Sequence, residues 1–396
     1  MALSVRPKPY FIPEYSLTGD LLAFLTCGLQ YRYHNKGALP PSTPVQLWFG
    51  EFIHGVLEEA YLRWGNNFQL RRFPWKWGSD IRDIELEIDR RLRSKGLYPP
   101  PGLFCPYTTS TTSQGLCPNM NHPHKLIASQ RTEAAINTWG QHLFPLISEA
   151  EVRLKGSRPM PKYKKGISRS NYYGITGVID VISSVNLLMA PRGNLIVHNI
   201  HNHEEMQKII NNLSSQDYEI IIDYKGMRRP SFSSALWHHH EWQVLTYAWL
   251  RSQQPQSRPI VAGIIFYINE LASSNEDMEQ LVTDVKNNQT DIMPSGQDLQ
   301  SILKWNSRKK LPSLTQPFKE QRSIRIIPVD NNSIQNSLNQ FDNVVSNIES
   351  AVLSEIGGSS IVHSWPTNPQ QRNCTACDFK TFCPNPAPHR YTPTVP

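Results

Sequence analysis

The chain has 396 residues, 39% of them hydrophobic, with a formal net charge of +7 and a pI near 9.0. That length suits one large domain or two ordinary ones and can bury a core without covalent staples. The longest apolar runs, such as 260–268, fall far short of the roughly 20 residues of a membrane span, and no apolar signal region opens the sequence, so a soluble cytoplasmic protein is expected. The basic balance favours a polyanionic partner such as nucleic acid. Six unevenly spaced cysteines suit metal ligation in a reducing compartment better than a disulfide scaffold.

In chain order, Thr18 as N-cap and Leu21, Leu22, Phe24, Leu25 and Leu29 predict a helix over 18–33 that carries Cys27. Phe49, Phe52, Ile53, Val56, Leu57, Ala60 and Trp64 recur at helical spacing over 45–64, with His54 among them. From 65 to 148 the pattern reads as an insertion: Trp/Arg clusters, a charged helix at 79–94, a Pro/Ser/Thr-rich stretch at 98–123 and a helix from Gln130 to about Ile147. A strand-like 149–155 and a basic linker at 159–169 precede two β-rich runs, 174–185 and 218–224, separated by a polar loop or short helix. A helix over 235–252, a buried strand at 260–269, a polar insertion and a strand at 323–329 follow. The last helix is predicted to start at the N-cap Ser333 and to stop at Gly357-Gly358.

Two of these runs carry carboxylates. Gly177-Val178-Ile179-Asp180 places an acid within a β-run, where an unpaired charge is expensive to bury, and Ile220-Ile221-Ile222-Asp223-Tyr224-Lys225 ends an apolar strand in Asp-x-Lys. Residues two apart on a strand share a face, so Asp223 and Lys225 project together. Phosphodiester hydrolysis uses a divalent ion such as Mg²⁺ or Mn²⁺ on one or two carboxylates, and a neighbouring lysine can orient water or stabilise developing charge. Taken alone, an Asp-x-Lys tripeptide is more often a surface ion pair at a strand end.

Four motifs in order resemble the PD-(D/E)xK nuclease superfamily, RecB-like branch: His54 after Gly50, Asp180 in Gly-x-x-Asp, Asp223-Tyr224-Lys225, and Gln243-x-x-x-Tyr247. The resemblance implies that His54, Asp180, Asp223 and the carbonyl of Tyr224 hold the metal while Lys225 serves the attacking water. Gln243 and Tyr247, at i and i+4, would share one helical face towards the DNA or the lysine. Glu151 resembles the glutamate that such enzymes carry before the Gly-x-x-Asp strand, with Glu149 as the competing choice. Asp180 and Asp223 lie 43 residues apart, where the family has a short hairpin, so a segment must loop out between them. The run His238-His239-His240 reads as a solvated helix start.

Cys374-x-x-Cys377 followed by Cys383 needs a fourth ligand, for which Cys27 is the candidate; the spacing admits zinc or an iron–sulfur cluster. A lone early cysteine with a C-terminal C-x₂-C-x₅-C resembles the iron–sulfur clasp of AddB-type and CRISPR-associated exonucleases, which implies a [4Fe–4S] cluster. Cys105 and Cys117, with His122 and His124, match no compact zinc finger and are read as loop residues.

The resemblance implies an α/β fold, a restriction-endonuclease-like mixed sheet flanked by helices, with insertions and a clasp joining the two ends of the chain. Four segments are expected: N-terminal helices at 1–64, the insertion at 65–148, the nuclease core at 149–330, and the last helix with the cluster segment at 331–396. The expected activity is that of a metal-dependent deoxyribonuclease on single-stranded DNA, serving repair, CRISPR adaptation or defence. The sequence contains no G-x-x-x-x-G-K-[ST] loop, so a helicase motor would come from a partner. A catalytically silent DNA-binding scaffold and an iron–sulfur redox carrier are the competing readings; the His54, Asp180, Asp223 and Lys225 set argues against both.

Overall fold

A computed structural model describes residues 12–36, 45–106, 125–375 and 377–387. Its strands are β1 (Glu14–Ser16), β2 (Ile147–Pro159), β3 (Tyr172–Asn186), β4 (Asp217–Lys225), β5 (Ile260–Tyr267) and β6 (Ile324–Pro328). The longer helices are α1 (Val45–Asn66), α2 (Arg82–Ser94), α3 (Ile127–Ala135), α4 (Leu195–His201), α5 (Glu204–Asn211), α6 (Ala235–Ser252), α7 (Asn275–Lys286), α8 (Gly296–Lys304), α9 (Gln316–Ser323) and α10 (Asn331–Ile356).

The six strands form one mixed sheet. β3 pairs with β2 over 172–183, with β1 over 174–176 and with β4 over 181–186. A strand has two edges, so the long β2 takes one and β1 and β4 share the other. β4 and β5 run parallel, as the α6 crossover between them requires, and β6 closes the sheet antiparallel to β5.

Helices cover both faces, which is why β4 reads as an unbroken apolar run rather than an alternating one. Ile220, Ile222 and Tyr224 pack with Phe52, Ile53 and Val56 of α1 and with Ile84 and Ile88 of α2. Ile221 turns the other way, towards Val244 and Ala248 of α6 and Phe341 and Val345 of α10. The α/β fold with a helix-flanked mixed sheet is thus the expected restriction-endonuclease-like arrangement. The polar insertion after β5 has an apolar cluster of its own, built on Met278, Leu281, Ile302, Trp305 and Phe318.

Three local expectations are corrected. The helix predicted over 18–33 breaks at Cys27, whose φ of −166° and ψ of 110° are extended. There Gly28 meets Pro366 so closely that a Cβ would lie 2.8 Å from its ring, and Leu29 N donates to the Pro366 carbonyl at 3.0 Å. The N-cap of that run is Ser16, and the N-cap of α10 is Asp330, with Ser333 answering it in a reciprocal capping box. The 43-residue gap between the acids holds α4 and α5, while β3 and β4 remain direct neighbours. The polar stretch at 98–123 lies mostly outside the described residues.

Candidate active site

β3 and β4 bring the two acids side by side. Their ladder ends at Val181↔Ile222, and the next residue on each strand is Asp180 and Asp223. Across the other edge of β3, Glu151 falls between the pairs Ala150↔Val181 and Val152↔Ile179, opposite Asp180. Its φ of +52° marks a kink in β2, the kind of local strain that clusters at functional sites. α1 delivers His54 from the opposite layer: Nδ1 is 3.3 Å from Asp180 Oδ1, and Nε2 is 3.0 Å from the Tyr224 carbonyl. Among the described residues, His54, Glu151 and Asp180 form a group whose ligand atoms all lie within 4.8 Å of one another.

Both His54 nitrogens face acceptors, so in the metal-free protein the ring is held as an imidazolium. Burial opposes that charge, but Asp180 outweighs it and raises the pKa to about 9. Asp180 would itself be raised by burial; His54, then Lys225 and the Tyr224 N–H at 2.8 Å, hold it below the usual carboxylate range instead. Asp223 is 1% exposed. Burial, partly countered by Lys225 and reinforced by Asp180, pushes it up to about 6. Desolvation and then Asp180 push Glu151 up to about 7. Crowded acids that resist ionisation together are what a bound cation would relieve. The donor set fits a hard divalent ion, and buried Asp223 Oδ2 has no hydrogen-bond partner beyond its ionic contact with Lys225.

Lys225 Nζ lies 2.6 Å from Asp223 Oδ2 and donates to Gln243 Oε1 at 2.8 Å, while Gln243 Nε2 donates to Tyr247 OH at 2.9 Å. α6 therefore fixes the lysine through one amide. Gly177 permits this approach, because a Cβ there would come within 2.6 Å of the Tyr247 ring. Residues 210–384 match the family model of the PD-(D/E)XK nuclease superfamily. No curated protein matches the chain. The matched region holds Asp223, Lys225, Gln243, Tyr247, Cys374, Cys377 and Cys383; His54, Glu151, Asp180 and Cys27 come from the part before it.

Apart from the acidic site, Cys27, Cys374, Cys377 and Cys383 line one small pocket. The Cys377 sulfur accepts the Phe379 N–H at 3.4 Å and the Cys374 sulfur the Ala387 N–H at 3.3 Å. Burial first, then the other three thiols, raises the Cys377 pKa. Among the described residues, no three of these sulfurs lie within 4.8 Å of one another.

Other residues singled out in the sequence stand apart. Glu149 reaches Arg251 at 2.9 Å. His240 is buried against Tyr267 OH at 3.1 Å, with its pKa lowered to about 3 by burial, whereas His238 is exposed. Cys105 is buried, and Cys117, His122 and His124 lie outside the described residues. A pocket beside Tyr247 that includes Arg153 and Lys155 was marked by no motif. Its available signal was the alternation Glu151, Arg153, Lys155.

The pH dependence of metal binding follows from these shifts. The His54 pKa sits above its ordinary 6.5, so its pairing with Asp180 stabilises the metal-free fold fully below about pH 6.5 and is lost as pH rises through about 9. A metal ligand must be a neutral imidazole, so cation and proton compete. Affinity for Mn²⁺ is expected to climb between about pH 6 and pH 9, with proton release in calorimetry run in buffers of different ionisation enthalpy. Affinity flat across that range would remove His54 from the ligand set.

Proposed function

We propose that this protein is a metal-dependent nuclease that cuts single-stranded DNA. The observation that carries the reading is the convergence of His54, Glu151 and Asp180 at one point, beside the Asp223–Lys225 pair, in a chain whose residues 210–384 match the PD-(D/E)XK superfamily. The site would hold Mg²⁺ or Mn²⁺ on His54, Asp180, Asp223 and the Tyr224 carbonyl, with Glu151 alongside. When bound, the ion polarises the phosphoryl oxygen and lowers the pKa of the attacking water. Lys225 orients that water and steadies developing negative charge, and Gln243 and Tyr247 hold the lysine in place.

A [4Fe–4S] cluster on Cys27, Cys374, Cys377 and Cys383 belongs to the same proposal. The division at 64, 148 and 330 and a cytoplasmic setting rest on the sequence pattern, and work beside a helicase, repair or CRISPR partner rests on the family resemblance. Among the described residues no helix is long and apolar enough to cross a membrane.

The test is cleavage of an end-labelled single-stranded oligonucleotide by the purified protein. Mg²⁺ or Mn²⁺ should support it and EDTA should abolish it. Binding without cleavage under every divalent metal would instead favour the silent scaffold.

A further inference from the structure

We infer that the pocket beside the metal centre is a phosphate subsite, in which Arg153 and Lys155 grip a backbone phosphate of the bound strand one or two nucleotides from the one that is cut. This deepens the nuclease reading and rests on it.

Strand geometry gives the direction. Arg153 and Lys155 follow Glu151 at alternate positions of β2 and stand opposite Val178 and Thr176 of β3. Both are exposed, while Leu154 between them is buried. Alternate residues of a strand are about 6.6 Å apart, so each step along this row moves one short stride away from the metal centre. A strand held at the acids and leaving along β2 meets Arg153 first and Lys155 next.

The lining suits a phosphate. Thr18, Thr176 and Tyr247 share the pocket with the two cations, a mixture of hydroxyl and cationic donors of the kind that contacts nucleic-acid backbones. Among the described residues the Thr18 and Thr176 hydroxyls have no hydrogen-bond partner, and the Tyr247 hydroxyl, which accepts from Gln243, keeps its own proton to donate. Burial raises the Tyr247 pKa, so that proton stays. Through Gln243 the pocket is joined to Lys225.

The cations are available. Arg153 makes no ion pair among the described residues. Lys155 Nζ holds Glu14, 3.1 Å from each carboxylate oxygen, in a contact where both side chains are more than half exposed. Such a pair contributes little and is screened by salt. Glu14 is therefore a stand-in anion at the mouth of the pocket, displaced when a phosphate arrives.

Binding of a labelled single-stranded oligonucleotide in EDTA separates this from catalysis. The Arg153→Ala, Lys155→Ala double variant should bind roughly tenfold more weakly at low salt, and the slope of log affinity against log salt should fall by about 0.7 for each cation removed. Glu14→Gln should bind more tightly than the wild type, a gain that misfolding cannot produce, and Lys208→Ala on exposed α5 should change nothing. If the wild type cleaves but the double variant keeps its affinity and slope, the subsite is wrong and the nuclease reading stands. If the wild type neither binds nor cleaves, both fall.

Discussion

Asp223→Ala should reduce metal-supported cleavage by about a thousandfold or more, the scale on which a group that stabilises the transition state is lost. Two roles vanish together. Asp223 offers the metal a buried carboxylate, and the same carboxylate neutralises Lys225, whose Nζ lies 2.6 Å from Oδ2. Lys225→Ala should fall in the same range, because the water and the developing charge lose their cation. Gln243→Ala acts one step removed, by freeing the lysine, and should cost about ten- to a hundredfold. Affinity for DNA measured in EDTA should hardly move in any of the three, which separates chemistry from binding.

Stability supplies a second readout for the same residue. Asp223 has its pKa pushed up to about 6, so between the ordinary carboxylate value and about 6 the folded state binds more protons than the unfolded one, and the charged form costs stability above that window. Asp223→Asn keeps the shape without the charge. The metal-free variant should therefore melt no lower than the wild type at pH 8 while being inactive. Full activity in Asp223→Ala would move the reaction centre elsewhere.

How far the sequence led depends on whether each signal was local. α6 was bounded correctly at 235–252, and β4 within a residue at each end, because both are long apolar runs with clear stops. The break at Cys27 was invisible, since what stops the helix is Pro366, some 340 residues away, seated where a side chain on Gly28 would be. β1 is three residues long, too short for any periodicity to show. The N-cap of α10 was misplaced by three residues because Asp330 and Ser333 both belong to its capping box.

Glu149 and Glu151 could not be separated by pattern, since residues two apart share a strand face. What separates them is the kink at Glu151, whose positive φ turns it to Asp180, while Glu149 is drawn to Arg251. A kink of that kind leaves no compositional trace. Asp180 was marked by its place inside a β-run, where a lone charge is costly, but His54 was legible only through family resemblance: a histidine in an apolar helix and an acid in a β-run have no local reason to meet.

Cys27→Ala, or alanine at Cys374, Cys377 or Cys383, should bleach the protein and loosen its C-terminal segment. Protein purified without oxygen is expected to be brown, with broad visible absorbance and about four irons per chain, the composition of a Cys₄-ligated [4Fe–4S] centre. The expected damage is local, because the two ends of the chain are also held together without metal. Trp365 is buried against Phe24 and Tyr31, its indole donates to Glu355 at 2.7 Å, and Arg32 binds the same carboxylate. Beyond that anchor, Phe379 and Ala387 are the only buried side chains among the described residues, so the stretch has little of its own to hold it once the thiolates let go. Limited proteolysis of a cysteine variant should therefore clip after about residue 366 and leave the sheet intact, whereas Trp365→Ala should lower the melting temperature of the whole domain. Cys105→Ala should leave the colour unchanged, since Cys105 does not line the thiol pocket. A colourless wild type carrying one stoichiometric zinc on these four thiolates would replace the iron–sulfur assignment and leave the nuclease centre as it stands.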